Sequence, residues 1–168
     1  MDKIAIFEKV SFEQYLEDRR KCDGEDIETS AIHKEWEDIR LPERATVGSA
    51  GYDFFLPMAC CFDKKPLLFP TGVRCKMEPG WVLMLFPKSG LGFKNRMALA
   101  NTVGIVDADY YSSTNEGHIM AKFNSKKPFH LEAGEKYMQG IFLPFGVTTD
   151  DVAIGIRDGG LAPQERNV

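Results

Sequence analysis

The sequence predicts an all-β domain carrying a short helical amino-terminal extension. Three observations point there. From about Leu41 onward, apolar residues come in short runs at 54–56, 73–77, 81–86, 119–123 and 139–145, bounded by Gly, Pro, Asn and Asp as strands closed by turns would be. Turn signals such as Pro70-Thr71-Gly72, Pro79-Gly80 and Ala133-Gly134 separate them, which suits a sandwich or barrel rather than βαβ units. Before Leu41 the apolar period is helical instead. The 168 residues suffice for one ordinary domain, with at most a small appendage, and for one continuous core.

In the extension, residues 1–40, Ser11-Phe12-Glu13-Gln14 has the form of a capping box, and Phe12, Tyr15 and Leu16 give an apolar stripe, so a helix is predicted to end near Lys21. A polar, acidic break follows at 23–28. Thr29 or Ser30 then caps a second short helix, in which Ile32, Trp36 and Ile39 recur at helical spacing until Pro42 approaches. Both helices are expected to pack on the β domain, residues 41–156. Its longest apolar run, Trp81 to Phe86, has strand length and falls far short of a membrane span.

Hydrophobic residues at 43% and charged residues at 27% exclude wholesale disorder, collagen-like repeats and coiled-coil composition. Lys and Arg number 21 against 25 Asp and Glu, and the net charge of -4 offers a polynucleotide backbone no general attraction. The Lys64-Lys65 and Lys126-Lys127 pairs are isolated and read as turn ends. The first eight residues carry charge too early for a secretory signal, so a cytoplasmic protein without a membrane or polynucleotide partner is expected. Cys22, Cys60, Cys61 and Cys75 lack CxxC spacing, and an adjacent pair makes an awkward disulfide framework, which suits reduced thiols used as small core residues. His33, His118 and His130 lack metal-ligand spacing.

Three segments place small, flexible and acidic residues where a plain strand would not. In Gly48-Ser49-Ala50-Gly51-Tyr52-Asp53 the glycines permit close backbone approach, and Asp53 enters a strand as an acceptor-only group or stays solvated beside a tight turn. Pro87-Lys88-Ser89-Gly90-Leu91-Gly92 follows the longest strand with a cation, a hydroxyl and free backbone N–H groups, a set that suits a phosphate but lacks Walker A form. In Asn101 to Tyr110, an extended chain puts Asp107 and Asp109 on one face, where they repel unless a cation or a positioned proton relieves them. Metal-linked or general-base work and solvated hairpin-tip aspartates both fit that pair. Tyr110 beside them suits either a sugar platform or ordinary packing.

In this order and spacing, residues 45–53, 87–91, 101–110 and 134–142 resemble the first four motifs of the trimeric dUTP diphosphatases, the dUTPases. The match runs from about Leu41 to Phe145. The extension and residues 111–117 also look like a bacterial and phage branch of that family. The resemblance implies a dUTPase-like β jelly roll and a homotrimer with active sites between subunits. It also implies dUTP as substrate, Mg2+ as cofactor, and cleavage to dUMP and pyrophosphate that keeps uracil out of DNA.

By the same resemblance, Asp107 falls where the family keeps the carboxylate that orients the attacking water at the α-phosphorus. Asp53 matches the acid associated with the metal through water. Lys88, Ser89 and Gly90 match the phosphate-contacting loop, and Gln139 matches an amide that also reaches the phosphates. Asn101, main-chain groups of Gly104, Ile105 and Val106, and the returning strand at Met120 match the uracil-binding hairpin, whose tightness leaves no room for a thymine methyl. Tyr110 matches the aromatic under the deoxyribose and leaves no space for a 2'-hydroxyl. Arg157 opens the motif of the tail, residues 157–168.

Three departures qualify that match. Lys88 stands where Arg is usual and keeps the charge without the planar fork. Lys136 and Met138 replace Arg and Ala, changes expected to be tolerable at a strand edge. After Arg157-Asp158-Gly159-Gly160, Leu161-Ala162-Pro163-Gln164 replaces the stacking aromatic and phosphate nest of the family's lid. The expectation is a dUTP diphosphatase with an altered lid. The alternative is a catalytically weakened nucleotide-binding or regulatory protein-binding module. A dCTP deaminase fits less well, because its proton-shuttling glutamate aligns with Ala121.

Overall fold

Twelve strands and three short helices follow one another in the computed structural model, which describes residues 2–63, 65–155 and 157. Lys64 and the altered tail at 158–168 lie outside the described residues. In chain order come β1 (Ala5–Lys9), α1 (Phe12–Asp23), α2 (Thr29–Asp38), β2 (Glu43–Arg44), β3 (Tyr52–Phe55) and β4 (Cys60–Phe62). Next are β5 (Leu67–Pro70), β6 (Val73–Met77), β7 (Trp81–Pro87), α3 (Ser89–Asn95), β8 (Ala98–Leu99) and β9 (Gly104–Asp107). A 3-10 turn (Ala108–Ser112), β10 (Met120–Asn124), β11 (Phe129–Leu131) and β12 (Lys136–Pro144) complete the chain.

All pairings are antiparallel. The largest sheet runs β2-β3-β12-β7-β9, and smaller ones are β5-β10-β8, β1-β6 and β11-β4. Each predicted run is a strand, although β12 starts three residues before Gln139. In β7 the alternation sends Leu83 and Leu85 into the core and leaves Met84 and Phe86 half-buried on the other face. The core joins Phe54, Phe69, Leu83, Phe123 and Tyr137 to Tyr15, Ile32 and Ile39 of the amino-terminal segment. Among the described residues no helix is long and apolar enough to cross a membrane.

That segment differs from the sequence reading in containing a strand. Ala5 to Lys9 pair with β6, Ala5 opposite Met77 and Lys9 opposite Val73. Only Ala5 and Phe7 turn inward, too few residues to register as a period. Ser11 caps α1 as predicted, its Oγ accepting from Gln14 N at 3.1 Å. The reciprocal half of the box comes from afar: Glu116, not Gln14, accepts from Ser11 N at 2.8 Å. Helix α2 begins after Glu28 with no side-chain cap, so neither Thr29 nor Ser30 caps it. It is held instead by Arg19, which donates to Glu35 at 2.9 Å, and by Lys9, whose Nζ donates to the carbonyls of Trp36 and Glu37 at 3.0 and 2.7 Å. All four cysteines are free. Burial pushes the Cys60 and Cys75 thiols up to about 12, whereas Cys61 is exposed and Cys22 half-buried, so the core reading holds only for the first two.

Asp18 of α1 is the buried carboxylate of the extension. Its Oδ2 accepts from His118 Nδ1 at 2.7 Å and from Gln14 Nε2 at 2.8 Å. Burial opposes that charge, yet the bonds from His118 and Gln14 hold the carboxyl below its ordinary value. A carboxyl lowered by folding gives stability that is complete above the unfolded value, about 4, and is lost as pH falls through the folded one. The gap in thermal midpoint between the wild type and Asp18→Asn is therefore expected to be constant above about pH 5 and to close in acid. A gap independent of pH would show that the charge contributes nothing.

Candidate functional site

The register of the large sheet places the candidate residues. Gln139 of β12 lies opposite Asp53 of β3 on one side and Phe86 of β7 on the other, so Asp53 and Gln139 stand side by side on one face. Asp53 is buried, only 4% exposed. Lys88 Nζ reaches its Oδ1 at 2.6 Å, and Lys136 Nζ reaches its Oδ2 at 2.8 Å. Burial works against this carboxylate, but the bonds from Lys136 and Lys88 hold it below the usual carboxylate range. Lys88, expected at a phosphate, thus also clamps Asp53, and Lys136 completes the clamp. Two ammonium groups on one carboxylate leave an excess positive charge beside Ser89 and Gly90, which lie exposed at the start of α3. Met138 is not at a strand edge: β12 is central, and the side chain is fully buried between β3 and β7.

A second group gathers around β9, the edge strand. Asn101, Gly104 and Met120 line a cleft of about 250 Å³ floored by Leu85 and Leu99. Pockets for whole ligands run from about 300 Å³ upward, so this one suits a single ring. Gly104 is required by its neighbour, because a Cβ there would sit 2.9 Å from Leu85 Cβ. Val106 points into the core and Ile105 outward, so at the free edge the strand presents the main chain of both. An edge strand keeps one row of N–H and C=O groups without a strand partner, as base-like recognition requires.

Asp107 ends β9, and the chain then enters the 3-10 turn rather than continuing extended. Asp109 therefore does not share a strand face with Asp107. The turn arises because Tyr110 must reach inward, where its hydroxyl donates to the His118 carbonyl at 2.8 Å and accepts from Asn115 Nδ2 at 2.9 Å. Both carboxylates nevertheless converge on one cation. Arg157 Nε donates to Asp109 Oδ1 at 2.8 Å, and Nη2 donates to Asp107 Oδ2. The repulsion expected from the pair is relieved by this guanidinium, which also lies 5.9 Å from the centre of the Tyr110 ring.

Asp107 lies apart from the Asp53 and Gln139 group in one chain, although Gly104, opposite Leu85, lies near it. Asp107 pairs with Val82 and Gln139 with Phe86, positions separated along β7 by about 13 Å at ~3.3 Å per residue. A magnesium ion held by protein ligands alone does not fit this site. Among the described residues no three His, Cys, Asp or Glu side chains converge, and both Asp53 oxygens are already ion-paired.

A family model described as dUTPase matches residues 37–153, the whole β domain from the end of α2 onward. The chain belongs to the dUTPase family. Among its relatives, the deoxyuridine 5'-triphosphate nucleotidohydrolase of Lactococcus lactis subsp. lactis (strain IL1403) is 37% identical over 118 residues, 67% of this chain and 78% of the relative. That of Psychromonas ingrahamii is 38% identical over 122 residues, covering 67% and 75%. The dUTPase crystal structure from Streptococcus mutans superposes with a TM-score of 0.59 at 39% identity, covering 64% of this chain and 88% of the other. A dUTPase from phage phi11 of S. aureus, reported with a structural Mg(II) ion, shares the fold at 18% identity and a TM-score of 0.59, covering 71% and 92%. The β architecture expected from the motifs is the dUTPase fold.

Lys136 was not singled out as a site residue in the sequence. The signal was present: in an antiparallel pair a cation three residues before Gln139 reaches the carboxylate opposite, at Asp53, once the irregularity between Lys136 and Met138 is allowed for. Replacing Asp53 by Asn removes the anion from between two ammonium groups. The variant is expected to lose about 1–3 kcal/mol in urea unfolding. An unchanged unfolding midpoint would show that the clamp is idle.

Proposed function

We propose that the protein hydrolyses dUTP to dUMP and pyrophosphate, with a site completed between copies of the chain in a homotrimer. The observation that carries this reading is the separation, within one chain, of Asp107 from the face that carries Asp53, Lys88 and Gln139. Lys88, Ser89, Gly90 and Gln139 form a cationic and hydrogen-bonding face suited to a triphosphate. Asn101, Gly104 and Met120 form a ring-sized cleft, with Tyr110 beyond it. Joining the phosphate face of one copy to the cleft of another supplies both ends of a nucleotide. Exposed apolar side chains at Ile105, Leu143, Phe145 and Val147 give such copies surface to cover.

In this reading Asp107 takes the proton of a water that attacks the α-phosphorus. The bond from that phosphorus to the bridging oxygen breaks, and pyrophosphate leaves. Magnesium carried by dUTP would neutralise phosphate charge, and Asp53, held between Lys88 and Lys136, is the residue that would face the ion's water shell. Uracil is read by Asn101 and by the main chain of Gly104, Ile105 and Val106. Arg157 holds Asp107 and Asp109 together and lies over the Tyr110 ring. Four free cysteines suit a reducing, cytoplasmic setting.

Purified protein is expected to release pyrophosphate from dUTP in the presence of magnesium and to spare dTTP, dCTP and UTP. Asp107→Asn should lower kcat by a factor of about 10²–10⁴ while leaving the thermal midpoint and oligomer size unchanged. Equal turnover in that variant would remove Asp107 from the chemistry. Binding of dUTP without pyrophosphate release would replace the hydrolase by a binding module.

A further inference from the structure

The segment that follows Asp107 and carries Tyr110 is anchored to the amino-terminal extension at three separate points. Glu8 of β1 accepts from the Tyr111 hydroxyl at 2.7 Å. Glu116 accepts from Ser11 N and Oγ at 2.8 and 2.6 Å. Asp18 of α1 accepts from His118 Nδ1 at 2.7 Å. Sequence separations of about one hundred residues are closed in each case, and none of these carboxylates belongs to the dUTPase motifs.

The third anchor is the buried one. His118 has no exposed surface, and its Nε2 accepts the Gly72 N–H at 2.8 Å, which leaves the ring proton on Nδ1 to be donated to Asp18. The imidazole is gripped at both nitrogens. The carbonyl oxygen of the same residue accepts from the Tyr110 hydroxyl at 2.8 Å and from Asn115 Nδ2 at 3.2 Å, and that Asn115 amide also donates to the Tyr110 hydroxyl. A side chain held at two points fixes its own backbone, and this backbone holds the phenol. Gly117, with φ at 70°, packs directly on the same stretch: a Cβ there would lie 2.6 Å from Tyr111 Cα and 2.8 Å from the Tyr110 carbonyl oxygen. The loop therefore has little room to settle elsewhere.

We propose that α1, acting through Asp18 and His118, positions the Tyr110 ring and thereby sets the preference for 2'-deoxyribose over ribose triphosphates. This rests on the hydrolase reading above. Asp18 and His118 are positioning residues: both are buried behind Tyr110 and reach the nucleotide only through it. The extension is then a part of the specificity apparatus rather than an appendage of the fold. A shape-based exclusion needs this kind of support, since a ring free to move by about 1 Å no longer denies space to a hydroxyl.

The test uses the full chain with Asp18→Ala and Asp18→Asn. Two quantities are read: the ratio of kcat/KM for dUTP to that for UTP, and the ring lines of Tyr110 in 13C-tyrosine-labelled protein, assigned with Tyr110→Phe. Asp18→Ala is expected to lower the ratio by roughly tenfold or more and to average the Tyr110 lines. Asp18→Asn keeps size and one acceptor, and should lower the ratio about threefold. A folded Asp18→Ala protein with the wild-type ratio and wild-type Tyr110 lines overturns the proposal, whatever its thermal midpoint. If Asp18→Ala does not fold, Asp18→Asn decides by the same two readouts. A wild-type chain inert towards dUTP defeats the hydrolase reading instead, and the Tyr110 lines alone then support or overturn the positioning role.

Discussion

Seven residues of β12 pair with seven of β7, from Met138 opposite Pro87 to Pro144 opposite Trp81, and this register fixes where every candidate side chain of the large sheet can point. A slip of one residue would turn Gln139 into the core and the buried Met138 out of it. The same ladder sets distances along the sheet. Asp53 lies across β12 from Phe86 of β7 and Asp107 lies opposite Val82, so the two carboxylates are held apart by three strand spacings and by four residues along β7. No side-chain motion within one chain closes that gap. The separation is a consequence of strand pairing, and the antiparallel topology has to be stable before any site exists.

Electrostatics divides along the same line. At the end of the sheet that carries Asp53, two lysines face one carboxylate, and the local balance is positive. At the end that carries Asp107, one arginine faces two carboxylates, and the balance is negative. Both groups are internally paired, so neither presents a bare buried charge. Their residual signs are opposite, so the two ends of the sheet carry complementary local fields.

Much of this was legible in the sequence, and the exceptions share a cause. Runs such as 73–77 and 81–86 alternate over enough residues to declare themselves, and the structure returns them as β6 and β7. β1 has only Ala5 and Phe7 facing inward, so its pairing with β6 is decided by tertiary contact and not by its own period. The capping box at Ser11 was read correctly at Gln14, but its second half is supplied by Glu116, a partner that no local window contains. Asp107 and Asp109 look like strand neighbours in the sequence. The chain turns between them because Tyr110 has a hydrogen-bonding partner in the interior, the carbonyl of His118. At Ser11 the residue types announced a constraint whose second partner, Glu116, lies 105 residues away.

The lysine clamp shows how a departure from a family pattern can be absorbed. An arginine carries two parallel donors in a plane, whereas each lysine offers a single compact charge on a flexible stem. Here Lys88, at the N-cap of α3, and Lys136 of β12 meet the two oxygens of Asp53 separately, so the carboxylate is bound at both oxygens without a guanidinium. Lys136 supplies the second of these contacts from a partly exposed position at the start of β12. The two exchanges are coupled through one acceptor, and changes that share a partner in this way are expected to be non-additive. What the arrangement gives up is planarity, because two independent ammonium groups fix the position of a bound oxygen less tightly than a rigid fork. What it keeps is the excess positive charge at the mouth of α3, where the exposed residues Ser89 and Gly90 begin.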